Sequence, residues 1–457
     1  MSVSAVAERS QESAAAGLKI GHTAALLFAA RSLQYVAFGL TGVFLARGLG
    51  PDGRGVYGLV NETAMIAASF PGMGLEMAGM YLAGQRRYTW QTVFSNSFTW
   101  ALVLWTCLAA LVGVTLATGE DAFGMGPNAL AAAFAGACLI MLTDGAAEFL
   151  LPMGRVWPYT FIKLTTPLIR LAGIAVIALS VGLSVGSAVG IWLASFGIAA
   201  GLTVYFVTQH IRMVPRIDVP ALKAQISYGM RGQLGYILQA LNHRLDAFLV
   251  AYFVGATATG HYFVGVNLAE FGWWIPISLG TVLFPKASAM SSEDNFALSA
   301  ATCRRTLVVT LVAVIGLLIV AQPGIPIVYG TEFEPAVTVF LILLPSGLMY
   351  TVHKVLGASL AAHGMPQATL ISGLVALPAT IGLNLLLIPS MEIKGAAIAS
   401  DVAYTINAAV VLLIFVRTSG LSIKDALLFN GEDWRVFKGT ANDLWNKYVR
   451  RQEVYDA

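Results

Sequence analysis

Twelve apolar runs, each long enough to cross a lipid bilayer as a helix, follow one another along this chain. A hydrocarbon core about 30 Å thick needs about 20 apolar residues of helix. Reading with that window gives spans at 23–46, 57–82, 92–117, 128–151, 160–183, 187–209, 228–254, 259–284, 302–322, 335–361, 367–388 and 395–416. Turn chemistry separates them, as at Gly50-Pro51-Asp52-Gly53, Gly126-Pro127-Asn128 and Pro323-Gly324. Of the 457 residues, 57% are hydrophobic and 11% charged. A soluble domain of this size carries roughly a quarter charged residues, so the missing solvent-facing surface must face lipid. The expected fold class is all-α, a polytopic membrane protein with about twelve transmembrane helices.

The basic residues test the count. With a cytoplasmic N-terminus and alternating spans, Arg9, Lys19, Arg86, Arg87, Arg155, Arg212, Arg216, Lys223, Lys286, Arg304, Arg305, Arg417 and six further Lys/Arg fall on the cytoplasmic side. Only Arg47, Arg54 and Lys394 fall on the other. Eighteen against three is the asymmetry that sets membrane orientation, and a miscounted span would scramble it. The reading places the protein in the cytoplasmic (inner) membrane as a multi-pass protein with both termini cytoplasmic. The first twenty residues are polar and end in Lys19, and the apolar run that follows is too long for a signal-peptide core, so no cleaved leader is expected. In the tail, Trp434, Phe437, Ala441, Trp445 and Tyr448 recur at three- and four-residue steps among charges, a pattern that suits a helix on the inner membrane surface or a solvated tail.

Composition also excludes several functions. A net charge of +3 with no Lys/Arg-rich tract does not point to nucleic acid. Cys107, Cys138 and Cys303 are far apart and read as small buried side chains. No His/Cys/acid cluster has metal spacing and no Gly-rich phosphate loop appears, so neither metal nor cofactor is expected. Gly182-Leu183-Ser184-Val185-Gly186 matches the nucleophile-elbow pattern, but that motif needs a strand before it and a helix after it, whereas here it joins two spans. No enzyme activity is expected.

The chain repeats itself. Sliding it by 205 residues puts Gly50 on Gly255, Gly55 on Gly260, Tyr57 on Tyr262, Ala64 on Ala269 and Pro71 on Pro276. A slightly different offset puts Gly154 on Gly364 and Gly186-Ser187-Ala188 near Gly395-Ala396-Ala397. The expected organisation is a cytoplasmic segment (1–22), an N-terminal lobe of six spans (23–209), a cytoplasmic linker (210–227), a C-terminal lobe of six spans (228–416) and a cytoplasmic tail (417–457). Six is even, so the two six-helix lobes would be parallel repeats about an axis along the membrane normal.

The stretch from Phe44 through Gly50-Pro51-Asp52-Gly53-Arg54-Gly55-Val56-Tyr57-Gly58 resembles the first interhelical loop of bacterial polysaccharide and O-antigen flippases. So does Asn384-Leu385-Leu386-Leu387-Ile388-Pro389 followed by Lys394-Gly395-Ala396-Ala397-Ile398-Ala399. These flippases form a branch of the multidrug/oligosaccharidyl-lipid/polysaccharide exporter superfamily. The resemblance implies two lobes around a central cavity that opens alternately to each side and moves a polyprenyl-diphosphate-linked oligosaccharide outward. It implies a role in exopolysaccharide, O-antigen or other surface-polysaccharide biosynthesis. The implied partners are membrane lipid, the lipid-linked glycan, and a polysaccharide polymerase with its export machinery.

A charge near the bilayer centre costs about 2.5–3.5 kcal/mol on the insertion scale, so each one needs a reason. Span depth puts Arg31, Arg170, Arg244, Asp246 and Glu270 near the middle. Lys163, Glu148, Arg231, Glu76 and Lys354 lie toward the cytoplasm, and Glu62 and Asp401 toward the outside. Lys163 and Arg170 are seven apart on one helix face and, with Arg31, could form a cationic wall able to meet a lipid diphosphate. Arginine suits that role through its planar fork and permanent charge. Span 7 carries Gln239, Asn242, His243 and Asp246 as a polar stripe that should face the cavity, with Arg244 pointing about 160° from Asp246. On span 2, Glu62, Ser69 and Glu76 recur every seven residues, and Tyr350, His353 and Lys354 mark span 10. The substrate-binding set is then Arg31, Lys163, Arg170, Arg244, Gln239, Asn242, His243 and Lys354, with Asp246 and Glu270 as ion-coupling acids. In the other reading the cations pair with Asp144, Glu148 or Glu270 and only lock helices together. The rival function is a cation-coupled multidrug exporter of the same superfamily, whose cavity would carry acids and few cations.

Overall fold

The computed structural model describes residues 3–69, 72–119, 124–288 and 290–439. The tail positions Ala441, Trp445 and Tyr448 lie outside the described residues. Among these residues the regular structure is helical throughout: α1 (Val3–Ser69), α2 (Leu75–Gly84), α3 (Trp90–Thr118), α4 (Pro127–Ile140) running into a π-helical turn (Met141–Ala146), α5 (Val156–Ser180) and α6 (Val185–Thr208). After an extended strap come α7 (Val219–Phe253), α8 (Ala256–Phe271), α9 (Trp274–Ser288), α10 (Ser292–Tyr329), α11 (Glu334–Leu343), α12 (Ser346–Ala362), α13 (Gln367–Ser419) and the short α14 (Ile423–Leu427). By length and composition six of these described helices could cross a bilayer, and the pair 331–343 and 346–362, bent by 47°, would make a seventh if it forms one span.

Two very long helices run through more than one of the spans read from sequence: α13 holds spans 11 and 12, and α1 holds span 1 and the first half of span 2. Left straight, α13 would run about 80 Å, far beyond a bilayer. It is broken at Glu392, which sits at φ 53°. A Cβ at Gly395 would lie 2.5 Å from the Leu387 carbonyl oxygen, so the chain doubles back there. In α1 the break is Gly50 at φ 64°, followed by Pro51. Glycine supplies the left-handed conformation that ends one helix, and proline opens the next with its fixed φ and no N–H to satisfy.

Contacts group the chain into two compact units: 1–237 with 254–260 and 328–332, and 238–253 with 261–327 and 333–457. In the first unit α1 packs on α4, α5 and α6, and α3 lies against α2 and α4. Its core includes Phe94, Phe149, Leu150 and Ile162. The strap before α7 is laced to α3: Gln91 brackets the main chain of Arg212, and Asn96 brackets that of Asp218. Fully buried Gln225 then ties α7 to Asn96, Ser97 and the carbonyls of Leu75 and Val93. At the elbow-like sequence, Ser184 is the N-cap of α6 and forms a capping box with Ser187. In the second unit α12 packs on α9 and α13, and α11 on α13. Its core, built on Phe296, Cys303, Leu356 and Phe415, extends to Ala426 in α14.

Candidate functional site

In the first unit α1 and α5 run side by side in the same direction. Gln34 donates to the Lys163 carbonyl at 3.0 Å, and Arg170, two turns further along α5, lies over the Phe38 ring at 5.8 Å. Arg31, Gln34 and Phe38 share one face of α1, so the expected trio Arg31, Lys163 and Arg170 lies along one helix pair. The three are placed differently. Lys163 is held by Asp144 at 2.8 Å and Glu148 at 3.1 Å, with its ammonium over the Tyr159 ring; here the helix-locking alternative describes the contacts. Arg31 is exposed. Arg170 is only 7% exposed, lies over the Phe196 ring at 5.3 Å and has Tyr57 beside it. Its Nε lacks a hydrogen-bond partner. Among the described residues no carboxylate pairs with Arg170.

In the second unit the polar stripe of α7 splits three ways. Asn242 is fully buried, donates to the Gly373 carbonyl and accepts from Thr380 at 3.0 Å, so its amide joins α7 to α13. Asp246 is also enclosed, and its oxygens accept from Tyr262 and Ser400 at 2.6 Å each and from the Ala247 N–H at 2.7 Å. Gln239 and His243 lie 2.5 Å apart through their side-chain nitrogens. The His243 ring meets Trp273 at 5.1 Å and Tyr404 at 5.3 Å, while Trp273 stacks on Tyr350 at 4.4 Å. Arg244 pairs with Glu270 at 2.9 Å. Lys354 is exposed, with its ammonium 5.7 Å from the Tyr350 ring centre.

Sequence reading missed the groups that complete these clusters. The repeat marks Tyr262 without indicating a role, and Ser400, Trp273 and Tyr404 carry no spacing signal that connects them with α7. The seven-residue face of span 2 is interrupted, because Ser69 ends α1 and Glu76 begins again on α2, with Met73 and Gly74 at positive φ between them.

This arrangement defines a multi-pass, all-α membrane protein with buried charge clusters inside its helix bundles. Its fold matches that of a lipid II flippase, MurJ, in an inward closed conformation, with a TM-score of 0.71 at 13% identity over 88% of each chain. It also matches a multidrug-resistance MATE transporter in an inward-facing conformation, with a TM-score of 0.63 at 14% identity over 85% of this chain and 94% of that one. A family model described as polysaccharide biosynthesis protein matches residues 44–338. The chain belongs to that family. A relative, the probable low-salt glycan biosynthesis flippase Agl15 of Haloferax volcanii, is 25% identical over 184 residues; the match spans 39% of this chain and 39% of that protein.

Proposed function

We propose that this protein is a flippase that carries a polyprenyl-diphosphate-linked oligosaccharide across the cytoplasmic membrane by alternating access, for the biosynthesis of a surface or exported polysaccharide. Family membership and the flippase named among its relatives support the class. The observation that carries the anionic cargo is Arg170, a guanidinium buried in the membrane region with an unpaired Nε and, among the described residues, no carboxylate paired with it. An uncompensated buried charge is expensive, so a site that keeps one is suited to an anionic ligand. Arg31, exposed on the neighbouring helix, is proposed as the second phosphate contact, and Lys163, already neutralised, as a positioning residue. Gln239, His243, Arg244 and Lys354 are proposed to serve the glycan, and Asp246 and Glu270 to couple an ion. Asn242 is proposed to act through α13.

The test is flipping of a polyprenyl-diphosphate glycan in proteoliposomes, with and without an imposed ion gradient. Arg170→Ala should insert normally and lose flipping, while Arg170→Lys should keep part of it. Asp246→Asn should flip slowly and equally with either gradient condition. Full activity in a well-folded Arg170→Ala protein would end the proposal, and drug efflux without glycan flipping would favour the multidrug exporter.

A further inference from the structure

The π-helical turn Met141–Ala146 lines a small, partly open cavity of about 20 Å³, room for about one water, against α2 and α3, with Glu76, Ser97, Trp105, Met141, Gly145 and Phe149 among its lining residues. Three features distinguish this place from ordinary packing. A π turn widens the helical ladder and occurs frequently at functional sites. Within it Gly145 leaves a notch that the Glu76 carboxylate occupies: a Cβ there would lie 3.0 Å from Oε1 and 3.4 Å from Cγ. Across the cavity the Trp105 indole Nε1 is buried without a hydrogen-bond partner.

The charges around Glu76 are already committed elsewhere. Helix α3 carries no Asp, Glu, Lys or Arg. Asp144 and Glu148, on either side of the notch, are both held by Lys163 of α5. From α7 the groups turned toward α2 are Gln225, 3.0 Å from where a Gly79 Cβ would stand, and Tyr228, stacked on Tyr81 at 4.2 Å, while Lys223 is exposed; Arg231 follows further along that helix. Among the described residues no cation pairs with Glu76. An ionised carboxylate against Phe, Met and Trp side chains with no cation is costly, and a proton removes that cost. The orphan indole N–H supplies a donor for a water or for the acid's carbonyl oxygen, which the cavity has room to admit.

We infer that Glu76 and this cavity form a proton-binding site of the first unit, taking its proton from water and releasing it there, separate from Asp246 and Glu270. The inference does not rest on the flippase reading. It is tested on the full chain in lipid nanodiscs by infrared difference spectra between about pH 8 and about pH 5, the interval in which displaced carboxyl groups titrate. A protonated-carboxyl band should appear on acidification and be lost in Glu76→Gln, yet persist in Asp246→Asn and Glu148→Gln. Gly145→Ala, which crowds the notch, and Trp105→Phe, which removes the donor, should each move its midpoint by about one pH unit while leaving the fold intact. If Glu76→Gln does not fold, these two variants decide alone. A band unchanged in Glu76→Gln, or a midpoint moved by neither substitution, overturns the proposal.

Discussion

Asp433 has no exposed surface, and Arg304 and Arg305 each donate to it through Nε at 2.7 Å. Arg304 also donates to the Asp425 carbonyl, and Asn430 caps the turn through the Glu432 and Asp433 N–H groups. Burial works to raise the Asp433 carboxyl, but the hydrogen bonds from Arg304 and Arg305 outweigh it and hold the group below its ordinary value. A depressed folded value means stability that is complete above the unfolded value of about 3.9 and fades as pH falls toward the folded one. Asp433→Asn leaves two guanidinium groups facing a neutral partner and should cost about 3 kcal/mol at neutral pH. The gap between the two proteins' thermal midpoints should close as pH falls below about 4, and a gap independent of pH would mean the clasp is not ionic. The partners of Asp433 lie 129 and 128 residues away, so no local spacing could signal them. The partners of Lys163 were legible, because Asp144 and Glu148 are acids in an adjacent apolar span.

At the scale of elements, the 205-residue repeat has a physical counterpart inside the first unit. A Cβ on Gly55 would collide with the Ala256 carbonyl oxygen, and one on Gly260 with the Pro51 carbonyl oxygen. Pro51 and Ala256 are themselves 205 apart, as are Asp52 and Thr257, which hydrogen-bond at 3.3 Å. The contact is therefore reciprocal, like the self-complementary patch of a two-fold dimer, and glycine at both positions lets the two backbones touch. Gly55→Ala and Gly260→Ala should each cost about 1–3 kcal/mol through overpacking. Gly42→Ala, with nothing within 4 Å, should be neutral or slightly stabilising. Thermal unfolding in detergent measures all three, and equal midpoints for Gly55→Ala and Gly42→Ala would refute the close approach. Helix existence was legible because apolar runs have no other way to satisfy their backbone in lipid. Helix breaks were less so. Gly74, Gly272 and Pro345 sit at or beside the interruptions of spans 2, 8 and 10, yet proline and glycine also occur inside unbroken helices, as Pro167 does in α5.

For the whole molecule, the orientation proposed from the charge distribution can be tested at exposed positions. Asp52, Gly119 and Glu332 lie in segments assigned to the outer side, and Arg87, Lys223 and Glu293 in segments assigned to the cytoplasm; all six are exposed. The native cysteines need replacing first, since Cys107 is exposed while Cys138 is partly covered and Cys303 buried. In that background, single cysteines at the first three positions should react with a membrane-impermeant thiol reagent on intact cells. Those at the second three should react only after permeabilisation. The eighteen-to-three distribution of Lys and Arg makes this outcome specific: removing or adding one span anywhere would exchange the sides of every position beyond it. Labelling of Lys223 from outside with Asp52 also labelled would place the error between them, within the first six spans. Labelling of Glu293 from outside with Lys223 still protected would place the error between those two positions, within spans 7 and 8, the second of which is interrupted between α8 and α9.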